Sequence, residues 1–250
     1  MQPVILGERI IAAMATKACW AAILGGCSGK INREHPFTRS VFTGPRVTID
    51  GAPWLGGKSR TIGLDSAVAH ILCEGRNGRL GERADVTGKE LRQTIADSVK
   101  AKVVPGPNPQ VLIKKPSGLV VPRPETTFSG RAYGEWLCKT HCDIRAISGK
   151  TMEKSYVQYA FGLMPERRPW IYYPHVVGEE LRFTDNPHMT YVSLEASGEA
   201  FGIQVCGLWS VVALDPFPRT QFLDRLAELR LGTLILRFDW SDDPPLRRPA

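Results

Sequence analysis

The sequence has no long hydrophobic run, few cysteines and no internal repeat, and each of these absences excludes a class of protein. No stretch of about 18 consecutive apolar residues is present, so we expect no membrane-spanning helix. Six cysteines in 250 residues are too few for a disulfide-stabilised scaffold, and they favour a reducing compartment in which thiols are buried or bind metal. Without repeats or low-complexity segments, solenoid and collagen-like architectures are excluded as well. The sequence therefore predicts a cytoplasmic globular protein.

The chain carries a surplus of positive charge. Lysine and arginine number 32 against 25 aspartates and glutamates, which gives a formal net charge of +7. A basic balance of this kind favours anionic partners, nucleic acid first among them. Hydrophobic residues make up 43% of the chain, enough to form a substantial core in one large domain or two smaller ones.

Prolines divide the chain into two parts. Six of the 19 prolines lie between residues 102 and 130, at positions 105, 107, 109, 116, 122 and 124. A proline-rich stretch with a single strand-like run, Val111–Ile113, is typical of a boundary between structural units. We therefore predict an N-terminal domain over residues 1–103 and a C-terminal domain over residues 104–250.

Hydrophobic periodicity predicts both helices and strands. In the N-terminal domain we expect a short helix or loose arm over 1–18, a strand over 46–51, and helices over 64–80 and 87–101, the last capped by Thr87. In the C-terminal domain we expect helices over 131–148 and 219–230, and strands over 170–173, 189–196, 200–214 and 232–239. The predicted fold class is α+β.

The residues able to carry chemistry are concentrated in one stretch of the N-terminal domain. They are Cys19, Cys27, Glu34, His35, Cys73 and Asn77. A neutral imidazole is a natural proton acceptor near neutral pH. Carboxylate and carboxamide oxygens suit a hard divalent cation such as Mg²⁺, whereas thiolates suit zinc.

This stretch resembles the HNH, or His-Me finger, nucleases over about residues 19–85. The matching runs are Cys19 to Cys27, Arg33-Glu34-His35-Pro36-Phe37 and Leu72-Cys73-Glu74-Gly75-Arg76-Asn77. The resemblance implies a β-hairpin followed by a helix, a ββα-metal core that grips one catalytic divalent ion, in front of a mixed α+β domain. It also implies a metal-dependent endonuclease that hydrolyses phosphodiester bonds in DNA, in restriction or defence.

The resemblance assigns a role to each of these residues. His35 would be the general base that activates water, and Glu34 and Asn77 would hold Mg²⁺ or another divalent ion. Cys19, Cys27 and Cys73 would bind a structural zinc that ties the hairpin to the helix. The basic side chains that would contact the nucleic acid are Arg33, Arg39 and Arg76.

Two positions depart from the family pattern. Arg76 stands where a fourth zinc ligand is usual, and arginine cannot ligate zinc because it stays protonated. Three options stay open: a distant residue such as His70, one helical turn before Cys73, completes the site; the zinc has three protein ligands; or the zinc is lost. The asparagine usual near the start of the helix is also missing, and Asp65 or Ser66 occupies that region.

Two other interpretations compete with an active nuclease. The first is a binding module for nucleic acid or protein that keeps a decayed nuclease fold, and Arg76 motivates it. The second is an envelope lipoprotein, because Leu24-Gly25-Gly26-Cys27 resembles a lipoprotein cleavage box; Lys17, however, interrupts the apolar run that a signal peptide needs. DNA is the expected partner; RNA, a homodimer and a partner protein stay open, and no membrane association is expected.

The other three cysteines are predicted to be core residues. Cys138 and Cys142 stand four positions apart, which places both thiols on one face of a helix beside apolar neighbours. Cys206 lies in an apolar strand pattern. With His141 between them, Cys138 and Cys142 also look like metal ligands, but their apolar neighbours favour the core interpretation.

Overall fold

The structure is a computed structural model that describes residues 18–42, 44–104, 110–114, 120–122, 126–172, 188–194, 199–205, 208–215, 228–231 and 234–239. Its architecture is α+β, which confirms the predicted fold class. The helices are α1 Glu74–Lys100, α2 Gly130–Ile147 and α3 Lys154–Ala160, with 3₁₀ turns at Trp20–Leu24, Arg39–Val41 and Pro53–Leu55. None of the helices in these ranges is long and apolar enough to cross a membrane.

The strands are numbered in chain order. They are β1 Ile31–Glu34, β2 Arg46–Asp50, β3 Arg60–Gly63, β4 Ala69–Cys73, β5 Ala101–Val104, β6 Gln110–Lys114, β7 Val120–Pro122, β8 Thr126–Ser129, β9 Trp170–Tyr172, β10 His188–Ser193, β11 Ala200–Val205, β12 Leu208–Ala213, β13 Glu228–Leu231 and β14 Leu234–Asp239.

A two-stranded antiparallel sheet leads directly into the longest helix. β1 pairs with β4, so that Ile31 lies opposite Cys73 and Glu34 opposite Ala69, with a bulge between Asn32 and Arg33. β4 ends at Cys73 and α1 begins at the next residue. The predicted helix over 64–80 is therefore wrong over residues 64–73, while residues 74–80 form the first turns of α1. Its apolar spacing belongs to a turn and a strand, and β4 is buried everywhere except at His70.

The second predicted helix, over 87–101, is part of α1, which starts much earlier. Thr87 is not a cap, because its hydroxyl donates a hydrogen bond to the Arg83 carbonyl at 3.0 Å inside the helix. Gly88 lets α1 pass close to the Arg39–Val41 turn. A Cβ at position 88 would lie 2.7 Å from the Thr38 methyl carbon.

A six-stranded sheet has the strand order β3-β2-β10-β11-β12-β9. β2 and β10 are parallel and the other pairs are antiparallel. Alternate side chains, such as Val47 and Ile49 in β2 and Met189 and Tyr191 in β10, are buried on one face. The strands predicted over 46–51, 170–173 and 189–196 are confirmed, and the one over 200–214 is divided into β11 and β12.

Two three-stranded sheets complete the described fold. Their orders are β5-β6-β7 and β13-β14-β8. β6 confirms the strand at Val111–Ile113, and β14 confirms most of the strand over 232–239. The predicted helix over 219–230 lies mostly outside the described residues, and its last three positions belong to β13. The predicted arm or helix over 1–18 also lies outside them, except for residue 18.

Helix α2, which confirms the helix predicted over 131–148, is buried along nearly its whole length. Its N-cap is Ser129, whose side chain accepts a hydrogen bond from the Ala132 amide at 3.1 Å. One face lies on the six-stranded sheet, where the Tyr133 hydroxyl bonds to Ser210 at 2.6 Å and the His141 ring stacks on Phe201 at 3.9 Å.

A single main core extends from Cys19 to Leu214. The core and the six-stranded sheet therefore both include residues from each side of the predicted boundary at 103.

Candidate metal and catalytic site

The predicted site residues lie around the two ends of β1. Near its first residue is a cysteine group, formed by Cys19, Cys27 and Cys73. After its last residue is the His35 turn, which we define as residues 34–38. The register of β1 against β4 places both features beside the start of α1.

The three cysteines of the group come together in space. One sulfur from each lies within 4.8 Å of the other two. Cys19 precedes the first 3₁₀ turn, and Cys27 returns in the loop after it because Gly25 and Gly26 adopt left-handed φ angles of 69° and 61°. All three thiols are free. Within the described ranges, this is the group of ligating side chains whose spacing could hold a metal ion.

The surroundings shift the pKa values of two of these thiols in opposite directions. Burial acts to raise the pKa of Cys73, but the amides of Ser28 and Arg76 and the other two thiols outweigh it and lower that pKa. Burial raises the pKa of Cys19 to about 11. A cation beside both sulfurs would stabilise both thiolates, so the donor set fits a thiophilic metal.

Arg76 tethers the cysteine loop without contributing a metal ligand. Its Nη2 donates a hydrogen bond to the Gly25 carbonyl, and its guanidinium lies 5.0 Å from the centre of the Phe161 ring. The suggestion that His70 replaces the fourth zinc ligand is wrong. His70 lies in β4, where residues three apart point to opposite faces, and its side chain is exposed away from the group.

His35 follows β1 and is half-buried. Its Nδ1 is buried and has no hydrogen-bond partner within the described structure. Asn77, in the first turn of α1, donates from Nδ2 to the Arg33 carbonyl at 2.7 Å. This bond holds the start of α1 against the backbone two residues before His35, so the fold brings His35 and Asn77 to the same end of β1.

Glu34 is buried, with 6% of its surface exposed, and it forms an ion pair with Lys139 of α2. The Lys139 ammonium also lies 2.7 Å from Asp143 Oδ2 and donates to the His35 carbonyl at 3.1 Å. Asp143 in turn accepts from Trp20 Nε1 at 2.8 Å. We call Glu34, Lys139 and Asp143 the buried charge cluster.

The charges of this cluster perturb one another strongly. Burial acts to lower the pKa of Lys139, but Asp143 and Glu34 outweigh it and raise that pKa. Burial raises the pKa of Asp143 to about 7; Lys139 opposes this rise and Glu34 adds to it. Sequence reasoning missed Lys139 and Asp143. The available signal was an i, i+4 pair of opposite charges in a helix with many apolar residues.

The three arginines predicted to contact nucleic acid differ in their exposure to solvent and in their partners. Arg33 is exposed on β1. Arg39 is exposed too, but it pairs with Asp65 at 2.7 Å. Arg76 is half-buried in its contact with the cysteine loop. Of the three, Arg33 is therefore the one that is exposed and has no acidic partner within the described residues.

The other cysteine predictions have separate outcomes. Cys138 and Cys142 are fully buried, and burial raises the pKa of both thiols, so they are core residues as predicted. Cys206 lies outside the described residues. Cys27, the residue that a lipoprotein would acylate, contributes its sulfur to the cysteine group.

Comparisons with known proteins give no relative: no family model, no curated protein and no solved structure matches this chain.

Proposed function

We propose that the chain is a metal-dependent endonuclease of the HNH type that hydrolyses phosphodiester bonds in DNA. The observation that supports this proposal is the joint placement of His35 and Asn77. An antiparallel strand pair leads into α1, and the Asn77 amide is bonded to the strand just before His35. The imidazole at this junction has a buried Nδ1 with no partner in the described structure.

In the proposed reaction, His35 accepts a proton from the attacking water. A divalent ion, when bound, polarises the phosphate and stabilises the leaving oxygen. Asn77 offers Oδ1 to such an ion, because its Nδ2 is used in the bond to Arg33. Glu34 pairs with Lys139 through Oε1, so Oε2 is the atom with which it would join the ion.

The two groups of predicted ligands suit different metal ions. Asn77 and Glu34 provide oxygen ligands and leave positions for water and phosphate, as Mg²⁺ prefers. The cysteine group provides three thiolates, which fit a structural zinc that joins the loop at Cys27 to the start of α1. Exposed Arg33 and the net charge of +7 would attract the phosphate backbone. Restriction or defence is the setting that this activity would serve.

Plasmid cleavage tests the proposal. Supercoiled DNA is incubated with the protein and Mg²⁺, Mn²⁺ or Ni²⁺, with EDTA as the metal-free control. His35→Ala should reduce nicking about 100-fold or more, the usual contribution of a general base. His70→Ala is the matched control, since it removes an exposed histidine of β4 and should leave the rate unchanged. Cleavage that persists without His35 or without metal would contradict the proposal.

A second candidate function is a non-catalytic binding module. Two contacts favour it: Arg76 occupies the place of a fourth thiolate and bonds to Gly25, and Lys139 already pairs with Glu34. Such a module would bind DNA or RNA with equal affinity in the wild type and in His35→Ala, and neither protein would cleave either nucleic acid. Gel-shift assays with both, beside the cleavage assay, distinguish the two functions.

A further inference from the structure

We infer that Lys139 is a positioning residue for the His35 turn, so that the working site includes helix α2 in addition to β1, β4 and α1. The inference rests on the proposed nuclease function and adds a residue to it that lies outside the stretch resembling the family. Its basis is a direct contact: the Lys139 ammonium donates to the backbone carbonyl of His35.

This carbonyl needs a donor from elsewhere in the chain. β1 ends at Glu34, so the β1–β4 ladder supplies no partner for His35. The next residue is Pro36, whose ring fixes its own φ and leaves it without an N–H. At this partly buried position a carbonyl without a donor is costly, and Lys139, 104 positions away, provides that donor at 3.1 Å. The contact therefore fixes the peptide plane that follows the imidazole.

Helix α2 holds the turn at a second point. Trp136 Nε1 donates to the Thr38 hydroxyl at 2.9 Å, and both residues are buried. Trp136, Lys139 and Asp143 are spaced i, i+3 and i+7, so they form one stripe along the helix. The stripe contacts both ends of the His35 turn. Its Asp143 also bonds to Trp20, which is the residue next to Cys19.

The charged residues of this stripe are better explained by a role in positioning chain segments than by a contribution to the stability of the fold. Replacing a buried ion pair with apolar side chains of similar volume is often neutral or stabilising. An ammonium with three acceptors on two chain segments, by contrast, specifies where those segments lie. In this cluster the acceptors are the carboxylates of Glu34 and Asp143 and the His35 carbonyl.

The test compares steady-state cleavage and hydrogen exchange in four proteins: the wild type, Lys139→Arg, the double variant Lys139→Met/Asp143→Asn, and the control Lys150→Met. The double variant removes one buried acid together with the lysine, and the carboxamide that replaces this acid can still accept from Trp20, so the variant should fold. The conservative variant Lys139→Arg keeps a positive charge and N–H donors at this position. Lys150 is exposed just after α2. Circular dichroism checks that each variant is folded.

We expect the double variant to lose about 100-fold in kcat with little change in KM, because small misplacements of reacting groups have effects of this size. The backbone amides of Phe37 and Thr38 should exchange faster. Lys139→Arg should recover most of kcat and of the protection, and Lys150→Met should match the wild type. Rescue by arginine is a result that a volume effect alone would not produce.

A folded double variant with unchanged kcat, or with unchanged exchange at Phe37 and Thr38, would overturn the inference. If the wild type cleaves no DNA with any metal, the proposed function has failed. The exchange data then decide by themselves whether Lys139 holds the turn, because they do not depend on cleavage.

Discussion

The two ends of β1 are held by opposite kinds of chemistry. At the first end, near Ile31 and Cys73, three free thiols lie close together and Cys27 is exposed. At the second end, Glu34 meets Lys139 in a cluster whose side chains are at most 7% exposed. The thiols leave a position for an ion from solution, whereas the buried charges satisfy one another within the chain.

The two ends also differ in how far apart along the chain their contacting residues lie. The cysteine group is assembled from residues 19–73, inside one short stretch of sequence. The charge cluster exists only when α2, more than 100 positions away along the chain, has packed against β1. Removing zinc should therefore loosen the first end alone, and changing α2 should affect the second end first.

The largest expected effect is the loss of stability on Lys139→Met. The substitution leaves Glu34 and Asp143 buried without their cation, and breaking a buried pair in this way costs about 3–5 kcal/mol. Urea unfolding at neutral pH measures the change. Lys150→Met, at an exposed position, should stay within about 0.5 kcal/mol of the wild type. A similar small change for Lys139→Met would mean that the cluster is not formed in solution.

The second effect is a pH dependence that originates at the charge cluster. The ordinary pKa of Asp143 is 3.8, and burial raises it to about 7 in the folded protein. Between these values the folded state binds the proton more tightly than the unfolded state. This contribution to stability is therefore complete below about pH 4 and is lost as the pH rises to about 7.

A shift of this extent corresponds to about 4 kcal/mol of stability. It is measured as the free energy of unfolding at several pH values with EDTA present, so that metal release does not contribute. Asp143→Asn cannot titrate and should flatten the curve in this range. A slope of the same size in Asp143→Asn would assign the effect to another group.

The third effect is confined to the cysteine end. We expect one zinc per chain in the wild type and none in Cys73→Ser, by metal analysis after dialysis. At free zinc of 100 times the dissociation constant, the bound ion stabilises the folded state by about 2.7 kcal/mol. Cys138→Ala, in the core, should keep its zinc.

Hydrogen exchange then tests the separation of the two ends. After zinc removal, the amides at the start of α1 should exchange faster, while those of Phe37 and Thr38 should not change. Faster exchange at both places would show that the ends of β1 are coupled.

The resemblance to the HNH nucleases predicted the first end of β1 well. It grouped Cys19, Cys27 and Cys73, whose sulfurs do lie together, and the position of Asn77 on a helix is confirmed. The helix boundary was placed wrongly because Ile71 and Leu72, both fully buried, satisfy a helical and a strand pattern equally well. Pairing with β1 decides between the two, and no local window contains that information.

The second end could not be predicted for the same reason. Nothing near His35 indicates that its carbonyl is bonded by a lysine 104 positions later. The prolines between residues 102 and 130 predicted a boundary between two parts, and no local pattern indicates which residues make contacts across such a boundary. The described core includes residues from both sides of it.

The smallest expected effect comes from Arg76→Cys, which would add a fourth thiolate to the cysteine group. Cys73 and position 76 have the Cys-x-x-Cys spacing typical of zinc sites, and the substitution replaces a tether to Gly25 with a fourth thiolate. Zinc affinity, measured by competition with a chromogenic chelator, should rise at least about tenfold, or about 1.4 kcal/mol. Lys89→Cys adds an exposed thiol 13 positions further along α1, about 20 Å from position 76, and should not change the affinity. If Arg76→Cys binds zinc no more tightly than the wild type, the hydrogen bond from Arg76 to Gly25 contributes as much to zinc affinity as a fourth ligand would. The cysteine end is then held by the fold itself, as the other end of β1 is.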